Sequence, residues 1–214
     1  MQILEIVIYS RHGKKRVVPL RPGAVNLITG RSHTGKSALI YIVSYCLGGS
    51  TCHIPEGRIL EASLWFGLLL DFGSERAFLA RENAYPRHLS TNRMFIARGA
   101  GVASPDVSPS ESNTTAEAVE ETLTQLLGIS PNLNVPSPGQ TRSPLSAKIG
   151  HSLIYCFQHQ TEIATNQILF HRQSEDFLTQ AIKDTLPYFL GAVREDHLAL
   201  GQELSRLRRE LRVV

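Results

Sequence analysis

The chain has 214 residues, of which 42% are hydrophobic and 19% charged, and its formal net charge is +3. This length can bury the core of one large domain or two small ones, and no apolar run reaches the ~20 residues that cross a bilayer. The small positive charge neither requires nor excludes a nucleic-acid partner. The three cysteines lack CxxC spacing, which argues against a disulfide framework and a zinc site. The N-terminal basic cluster follows an apolar stretch instead of preceding it, so we expect a cytoplasmic protein without a secretory signal.

The first part of the chain predicts strands before a glycine-bounded loop. Residues 2–9 alternate apolar and polar side chains, and residues 16–20 follow a turn-like RHGKK, which together predict an antiparallel hairpin. Residues 24–29, AVNLIT, predict a short buried strand. From Lys36 the apolar pattern becomes helical until the pair Gly48-Gly49 ends it. The predicted order is therefore strand, loop, helix.

The middle of the chain predicts a second hairpin and a helix. Residues 60–72 and 76–82 are extended segments joined by DFGSE, so we expect a mixed sheet that includes antiparallel hairpins. The segment 98–115 is rich in Ser, Pro and Gly and predicts an exposed, mobile loop. Residues 115–129 predict a helix with acidic residues in its first turns. Its expected N-cap is Thr114 or Thr115, and its expected end is Gly128.

The last part begins with another Ser- and Pro-rich connector, residues 130–148, which predicts a second mobile loop. Residues 152–157, SLIYCF, predict a buried apolar strand, and the chain is expected to be helical from Ser174 with an interruption near Leu186-Pro187. The final leucines have the 4, 3, 4 spacing of a coiled coil, and an ordinary amphipathic helix is the alternative: Leu200, Leu204, Leu207 and Leu211. We therefore expect a domain over 1–194 and the start of a coiled-coil arm over 195–214.

The segment from Gly30 to Ser37, GRSHTGKS, matches the phosphate-binding (Walker A) pattern G-x-x-x-x-G-K-[ST]. Its two glycines let the backbone curl so that N–H groups converge on phosphate oxygens, and the following helix N-terminus adds partial positive charge. Lys36 is expected to reach the β and γ phosphates and Ser37 to bind Mg²⁺. The predicted nucleotide contacts in this segment are Gly30, Arg31, Ser32, His33, Thr34, Gly35, Lys36, Ser37 and Ala38.

Hydrolysis also requires an acidic residue at the end of an apolar strand, and the chain offers only weak candidates. Asp71 ends LLLDF, but Gly73 and Ser74 directly after it predict a hairpin turn. Residues 46–50, CLGGS, imitate an ABC signature, yet they end the helix that follows the phosphate loop. Gln160 is the better second element, because it follows an apolar segment about 120 residues beyond the loop.

Together, GRSHTGKS, the two hairpins, the QTEI segment at Gln160 and the terminal heptads resemble the N-terminal half of an SMC-like ABC ATPase head. That group includes the structural-maintenance-of-chromosomes proteins, RecF, RecN and SbcC-type repair ATPases. The segment 23–48 is similar to a bacterial subgroup associated with DNA metabolism or phage defence. The chain departs from the family pattern G-x-N-G-x-G-K-S, because Ser32 and His33 replace the Asn-Gly pair.

The resemblance implies an ATP- and Mg²⁺-dependent ATPase whose catalytic site is incomplete in this chain. Gln160 would sense the metal and the attacking water, and Arg11 would reach the nucleotide. The signature and acidic strand would come from a second lobe, in a later part of a longer polypeptide or in a separate chain. Two heads would then form a head-to-head homodimer around ATP, acting on DNA and not on membranes.

Two other classes remain open. A P-loop kinase of a small acceptor needs a lid with arginines, and the region 81–98 holds four: Arg81, Arg87, Arg93 and Arg98. A nucleotide-regulated scaffold without enzymatic activity is the second alternative. The basic turn at Lys14, Lys15 and Arg16 is either a DNA contact or a solvated turn.

Overall fold

The computed structural model describes residues 1–130, 132–133 and 144–192, with Leu200, Glu203–Leu204, Leu207–Arg208 and Leu211. The described chain is a mixed α/β protein that divides into two compact units, Met1–Leu127 and Gly128–Val214. The strands are β1 (Gln2–Ser10), β2 (Lys15–Pro19), β3 (Ser63–Asp71), β4 (Arg76–Glu82), β5 (Arg93–Gly99) and β6 (Thr114–Thr115). The helices are α1 (Ala38–Cys46), α2 (Arg58–Ala62), α3 (Ala116–Leu126), α4 (Ile149–Cys156), α5 (Gln160–Ile163) and α6 (Leu178–Phe189).

The first unit is built on one six-stranded sheet with the order β2-β1-β3-β4-β5-β6. Both predicted hairpins are confirmed, and Ile6 of β1 lies opposite Val18 of β2 and Leu68 of β3. Every strand pair in the described chain is antiparallel, so the expectation of a mixed sheet is wrong for these residues. Turns or loops join β1 to β2, β3 to β4, β4 to β5 and β5 to β6, and each of these pairs is adjacent in the sheet. The connection from β2 to β3 contains α1 and α2 and places β3 antiparallel beside β1.

The sheet is covered on both faces, which explains why β3 is apolar along nearly its whole length. On one face Tyr45 of α1 contacts Phe66 of β3 edge to face, with ring centroids 6.3 Å apart. The opposite face is a cluster of buried side chains with Val102 of the loop after β5 packed against it: Val7, Tyr9, Trp65, Leu69, Phe78 and Ala80. The core of the first unit therefore lies on both sides of the central strands.

The predicted strand at 24–29 is wrong. These residues form neither helix nor strand and are exposed, with Val25 at 98% and Leu27 at 84% of their full accessibility. An apolar run becomes a strand only where a neighbouring strand accepts its backbone hydrogen bonds. No described strand pairs with these residues, so only the loop and the helix of the predicted strand–loop–helix order are present.

The helix after the phosphate loop is confirmed as α1, which buries one face of its length against the sheet: Ala38, Ile42, Val43, Tyr45 and Cys46. Gly48 adopts φ of +102°, so the glycine pair ends the helix as predicted. The predicted helix at 115–129 is confirmed as α3. Its N-cap is Thr115, whose side chain accepts a 3.3 Å hydrogen bond from the N–H of Ala118.

The loop between β5 and β6 is bonded to β1 and β2, although its composition predicts little packing. Tyr9 donates from its hydroxyl to the carbonyl of Pro105 at 2.6 Å, and Lys15 donates to the carbonyl of Ser104 at 2.8 Å. The predicted mobility of 98–115 stays a prediction. Most of the second predicted loop, 130–148, lies outside the described residues.

In the second unit, the predicted strand at 152–157 is wrong because these residues belong to α4, which ends at Cys156. A short apolar run suits a buried strand or a buried helix, and here contact with α6 favours the helix. Helix α6 runs from Leu178 to Phe189, so the prediction of a helix from Ser174 is wrong for 174–177. The predicted interruption near Leu186-Pro187 is also wrong, because Pro187 lies inside the last turn of α6, which ends two residues later. Of the predicted arm, the described residues at 200, 203–204 and 207–208 are helical, and their leucines are exposed. No helix of the described residues is long and apolar enough to span a bilayer.

Candidate functional site

The phosphate-loop motif forms an exposed turn that runs into α1. Ala38, the first residue of α1, donates its N–H to the carbonyl of Gly35 at 3.1 Å, and Leu39 donates to the carbonyl of Lys36 at 3.2 Å. Ser37 is the N-cap, and its hydroxyl makes no capping hydrogen bond. Because Ser37 is exposed, that hydroxyl is available to an external ligand.

The ammonium of Lys36 lies over the beginning of its own loop. It donates to the carbonyls of Gly30 at 2.9 Å and Arg31 at 2.6 Å, and lies 3.4 Å from Oγ1 of Thr34. Thr34 in turn donates to the carbonyl of Arg31 at 2.8 Å. These contacts fix a positive charge at the centre of the loop, where a phosphate-binding lysine is needed.

The backbone of the loop adopts left-handed conformations at the positions that curl it. Gly35 has φ of +83°, and a Cβ added there would lie 2.7 Å from Cδ1 of Ile59. His33 has φ of +60° although it is not glycine. His33 occupies the glycine position of the pattern G-x-N-G-x-G-K-S, so the backbone keeps the turn that glycine would favour.

The N–H groups of residues 31–37 donate to no acceptor in the described part of the chain. Arg31, Ser32, His33, Thr34 and Ser37 are exposed, and Gly35 and Lys36 are partly exposed. Free N–H groups before a helix, around a bound ammonium, form an arrangement that suits the oxygens of a phosphate chain. The residues present therefore fit the predicted polyphosphate ligand.

Arg11 lies in the turn between β1 and β2 and has protein partners. Its guanidinium donates to the carbonyl of Glu61 at 3.0 Å and to that of Tyr85 at 2.8 Å. These bonds tie the first hairpin to the end of α2. A role of Arg11 in nucleotide binding stays a prediction.

Gln160 is the first residue of α5 and is exposed. It follows α4 and the short link at 157–159 instead of the predicted apolar strand. Gln160 belongs to the second unit, whereas the phosphate loop belongs to the first. Its predicted part in binding Mg²⁺ with Ser37 stays a prediction.

Beside Gln160 the structure forms a cluster that sequence reasoning missed: His159, Glu162 and His171. Nδ1 of His171 lies 2.9 Å and 3.1 Å from the two carboxylate oxygens of Glu162. Burial by itself raises the pKa of Glu162, but N–H donors of Arg172 and His159 and the contact with His171 hold that pKa below its ordinary value. The spacing H-x-x-E was visible in the sequence, but only the fold brings His171 to it.

The arginines that favoured a kinase lid are engaged elsewhere. Arg81 is buried in β4 and donates to the carbonyls of Tyr45 at 2.7 Å, Gly49 at 2.6 Å and Thr91 at 2.9 Å. Burial lowers the pKa of its guanidinium. Arg93 and Arg98 form ion pairs with Glu82 and Glu75. Three of the four arginines therefore have partners within the sheet region, and the kinase alternative stays a prediction.

The turn after β3 and the basic turn between β1 and β2 can be compared with their predictions. Asp71 accepts a 2.7 Å hydrogen bond from the N–H of Gly73, which confirms the hairpin turn predicted there. In the basic turn, Lys15 bonds Ser104 and pairs with Asp106 at 3.4 Å, whereas Lys14 and Arg16 are exposed. A DNA contact by this turn stays a prediction.

Searches against protein-family models, curated proteins and solved structures find no significant match to this chain. Evidence on its function therefore comes from the residues and geometry described above.

Proposed function

We propose that this chain is the ATP-binding half of an SMC-like ATPase, in which ATP binding and hydrolysis drive association of two heads that act on DNA. The observation that carries the proposal is the loop at 30–37, with its free N–H groups and its ammonium over the loop carbonyls. Such a loop holds phosphates without any further catalytic group. The predicted binding residues Gly30, Gly35, Lys36 and Ser37 belong to this one turn and the start of α1.

Each residue has a distinct task in this proposal. Lys36 exchanges the carbonyls of its own loop for β- and γ-phosphate oxygens, and the N–H groups of the loop donate to the same phosphate chain. Ser37 would bind Mg²⁺ with its uncommitted hydroxyl, and the resemblance assigns the further metal and water contact to Gln160. Mg²⁺ supplies charge neutralisation on the phosphates during cleavage.

The exposed segment 24–29 supports the expectation of a second lobe. Its sequence, AVNLIT, has the apolar composition of a buried strand. No strand in the described part of the chain pairs with it, and its apolar side chains are exposed. We propose that a strand of the second lobe completes it, together with the acidic strand and the signature. On its own, the present chain is then expected to bind ATP weakly and to hydrolyse it very slowly.

A titration with a fluorescent ATP analogue and Mg²⁺ tests the assignment of Lys36. Lys36→Ala is expected to weaken binding by about 10- to 100-fold, because charge-assisted hydrogen bonds contribute about 1.5–3 kcal/mol each. Lys14→Ala is the matched control, since it removes an exposed lysine outside the loop and should leave binding unchanged. Equal affinity of the Lys36→Ala variant and the unmodified chain would disprove the proposal.

Turnover by the chain together with its second lobe, with and without DNA, separates the function classes. DNA-stimulated release of phosphate supports the proposed ATPase. Transfer of the phosphoryl group to a small acceptor would identify a kinase, and binding without turnover would identify a scaffold.

A further inference from the structure

The cluster of His159, Glu162 and His171 lies within the second unit. In the sequence it comes more than 100 residues after the phosphate-loop motif at 30–37. His159 is the N-cap of α5, Glu162 is in its first turn, and His171 follows the loop after this helix. Each offers a nitrogen or carboxylate oxygen, and these atoms all lie within 4.8 Å of one another. The cluster therefore combines two imidazoles and one carboxylate at one point.

The carboxylate of Glu162 organises the backbone around this point. It accepts hydrogen bonds from the N–H of His159 at 2.7 Å and from the N–H of Arg172 at 2.8 Å. The N–H of His171 donates to the carbonyl of Ile154 at 3.1 Å, which attaches the same segment to α4. Arg172 keeps φ of +58° under these contacts, a conformation that persists only where the surroundings determine it. The three side chains are thus held in place by the fold.

The two imidazole rings and the carboxylate lie close together. The His159 and His171 rings are stacked, with centroids 4.6 Å apart and planes 27° apart. Nδ1 of His171 lies 2.9 Å from Oε2 of Glu162. Two ligand atoms that share a metal at about 2.1 Å are themselves about 3.0–3.4 Å apart, so His171 and Glu162 need only small side-chain rotations. The ligand atom of His159 lies within 4.8 Å of theirs, and rotation of its side chain would complete the site. A direct hydrogen bond and a metal bridge are the two states that this separation allows.

Burial is also suitable for a metal site. The side chain of His171 is 6% exposed and that of Glu162 is 13% exposed. In the described part of the chain, no buried side-chain nitrogen or oxygen lacks a hydrogen-bond partner. Each polar atom of the cluster is therefore either bonded or reachable from solvent, and a metal would take the place of the hydrogen bond between His171 and Glu162.

We propose that His159, Glu162 and His171 bind a divalent transition metal, with Zn²⁺ as the representative ion. Two imidazoles and a carboxylate suit Zn²⁺, Fe²⁺ and related ions, whereas Mg²⁺ prefers oxygen ligands. Three protein ligands leave a further coordination position for water or another group. The metal would fix the N-terminus of α5, and with it the backbone of the adjacent Gln160.

The test uses the full chain without an oligohistidine tag, freed of metal by a chelator. Co²⁺ is added as a spectroscopic probe, and Zn²⁺ affinity is measured by competition with a chromophoric chelator. We expect one equivalent of Co²⁺ to give visible ligand-field absorption and one equivalent of Zn²⁺ to displace it. Zn²⁺ is also expected to raise the Tm of the chain, because binding to the folded state alone stabilises it.

Glu162→Gln and His159→Ala are the informative variants. The glutamine oxygen can still accept one of the two N–H donors that bond the Glu162 carboxylate, and the second change removes an imidazole together with its contact at the start of α5. Each should lower metal affinity at least about 10-fold and remove the Zn²⁺-dependent rise in Tm. The matched controls are Glu61→Gln and His12→Ala, which change exposed residues outside the cluster. Circular dichroism without metal verifies that each variant folds.

Failure of the unmodified chain to bind Co²⁺ or Zn²⁺ stoichiometrically at micromolar concentration would overturn the proposal. So would equal affinity in the Glu162→Gln variant and the Glu61→Gln control. The cluster would then be a hydrogen-bonded brace between α5 and the segment at 171–172. No nucleotide is used, so the result is independent of whether the phosphate loop binds ATP.

Discussion

The central strands and the segment 24–29 have similar apolar side chains but opposite environments. Val7 in β1 and Leu68 in β3 are fully buried, whereas Val25 is 98% and Leu27 is 84% exposed. The strands have neighbours on each side that complete their hydrogen bonds, and 24–29 has none among the described residues. An apolar pattern therefore indicates that a segment can form a buried strand. Whether it does so depends on a neighbouring strand that pairs with it in the fold.

The largest effect is expected from removing the same side-chain volume in the two regions. Leu68→Ala should lower the free energy of unfolding of the first unit by about 2–5 kcal/mol, because it leaves a cavity between packed side chains. Leu27→Ala should change it by less than about 0.5 kcal/mol, since an exposed leucine has few contacts to lose. Urea denaturation of the two variants, followed by circular dichroism, measures both values.

The denaturation of Leu27→Ala can be repeated after the second lobe has been added. If a strand of that lobe covers 24–29, Leu27→Ala should then weaken the association of the lobes. A cost above about 2 kcal/mol for Leu27→Ala in the isolated chain would contradict its exposure and the reasoning about 24–29.

Substitutions in the phosphate loop are expected to change the free energy of unfolding by a smaller amount. There the cost arises from backbone conformation and not from buried apolar surface. Gly35→Ala should cost about 1–2 kcal/mol, because a Cβ at φ of +83° is strained and lies 2.7 Å from Ile59. His33→Gly should stabilise the chain by about 0.5 kcal/mol. Glycine removes the steric cost of the left-handed φ, and this gain is larger than the entropic cost of ordering a more flexible unfolded chain. Thermal denaturation of both variants measures the two changes.

Nucleotide titration of the same variants provides the control for that experiment. His33→Gly should retain ATP binding, because it preserves the left-handed turn, whereas Gly35→Ala should weaken it. The reverse order of affinities would show that the loop rearranges before it binds phosphate.

Much of the first unit could be predicted from the sequence because its determinants are local. The hairpins follow from alternation and turn residues, and α3 follows from Thr115 at its N-cap and Gly128 after its end. The loop at 30–37 is recognised by a fixed spacing of glycines, lysine and serine. Each of these signals lies within a short stretch of chain.

The errors arose where the outcome depends on distant residues. Residues 152–157 fit a strand or a helix equally well, and packing of α4 against α6 decides between them. The cluster of His159, Glu162 and His171 needs the chain to return to α5 at His171, where the N–H of Arg172 donates to Glu162. Nothing in the local spacing around Glu162 indicates that return.

The smallest expected effects concern the reaction rates of the free cysteines. These rates report how often the chain opens locally around each thiol. Cys46 of α1 is fully buried, donates from Sγ to the carbonyl of Phe66 at 3.3 Å, and burial raises the pKa of its thiol to about 12. Burial also raises the pKa of Cys52, which is only partly buried. Cys156 is exposed at the end of α4 in the second unit. Because the thiolate is the reactive form, we expect Cys156 to react first with a disulfide reagent, Cys52 next and Cys46 last.

Single-cysteine variants and stopped-flow absorbance measure the three rates. Raising the pH from 7 to 9 should leave Cys46 slow, since its folded thiol titrates near 12 and reaction then requires opening of the sheet face against α1. Adding Leu68→Ala should accelerate Cys46 by lowering the free energy of that opening, and Leu27→Ala should not. Equal acceleration by both substitutions would mean that 24–29 contributes to the stability of the sheet, and the contrast between the two regions would be wrong.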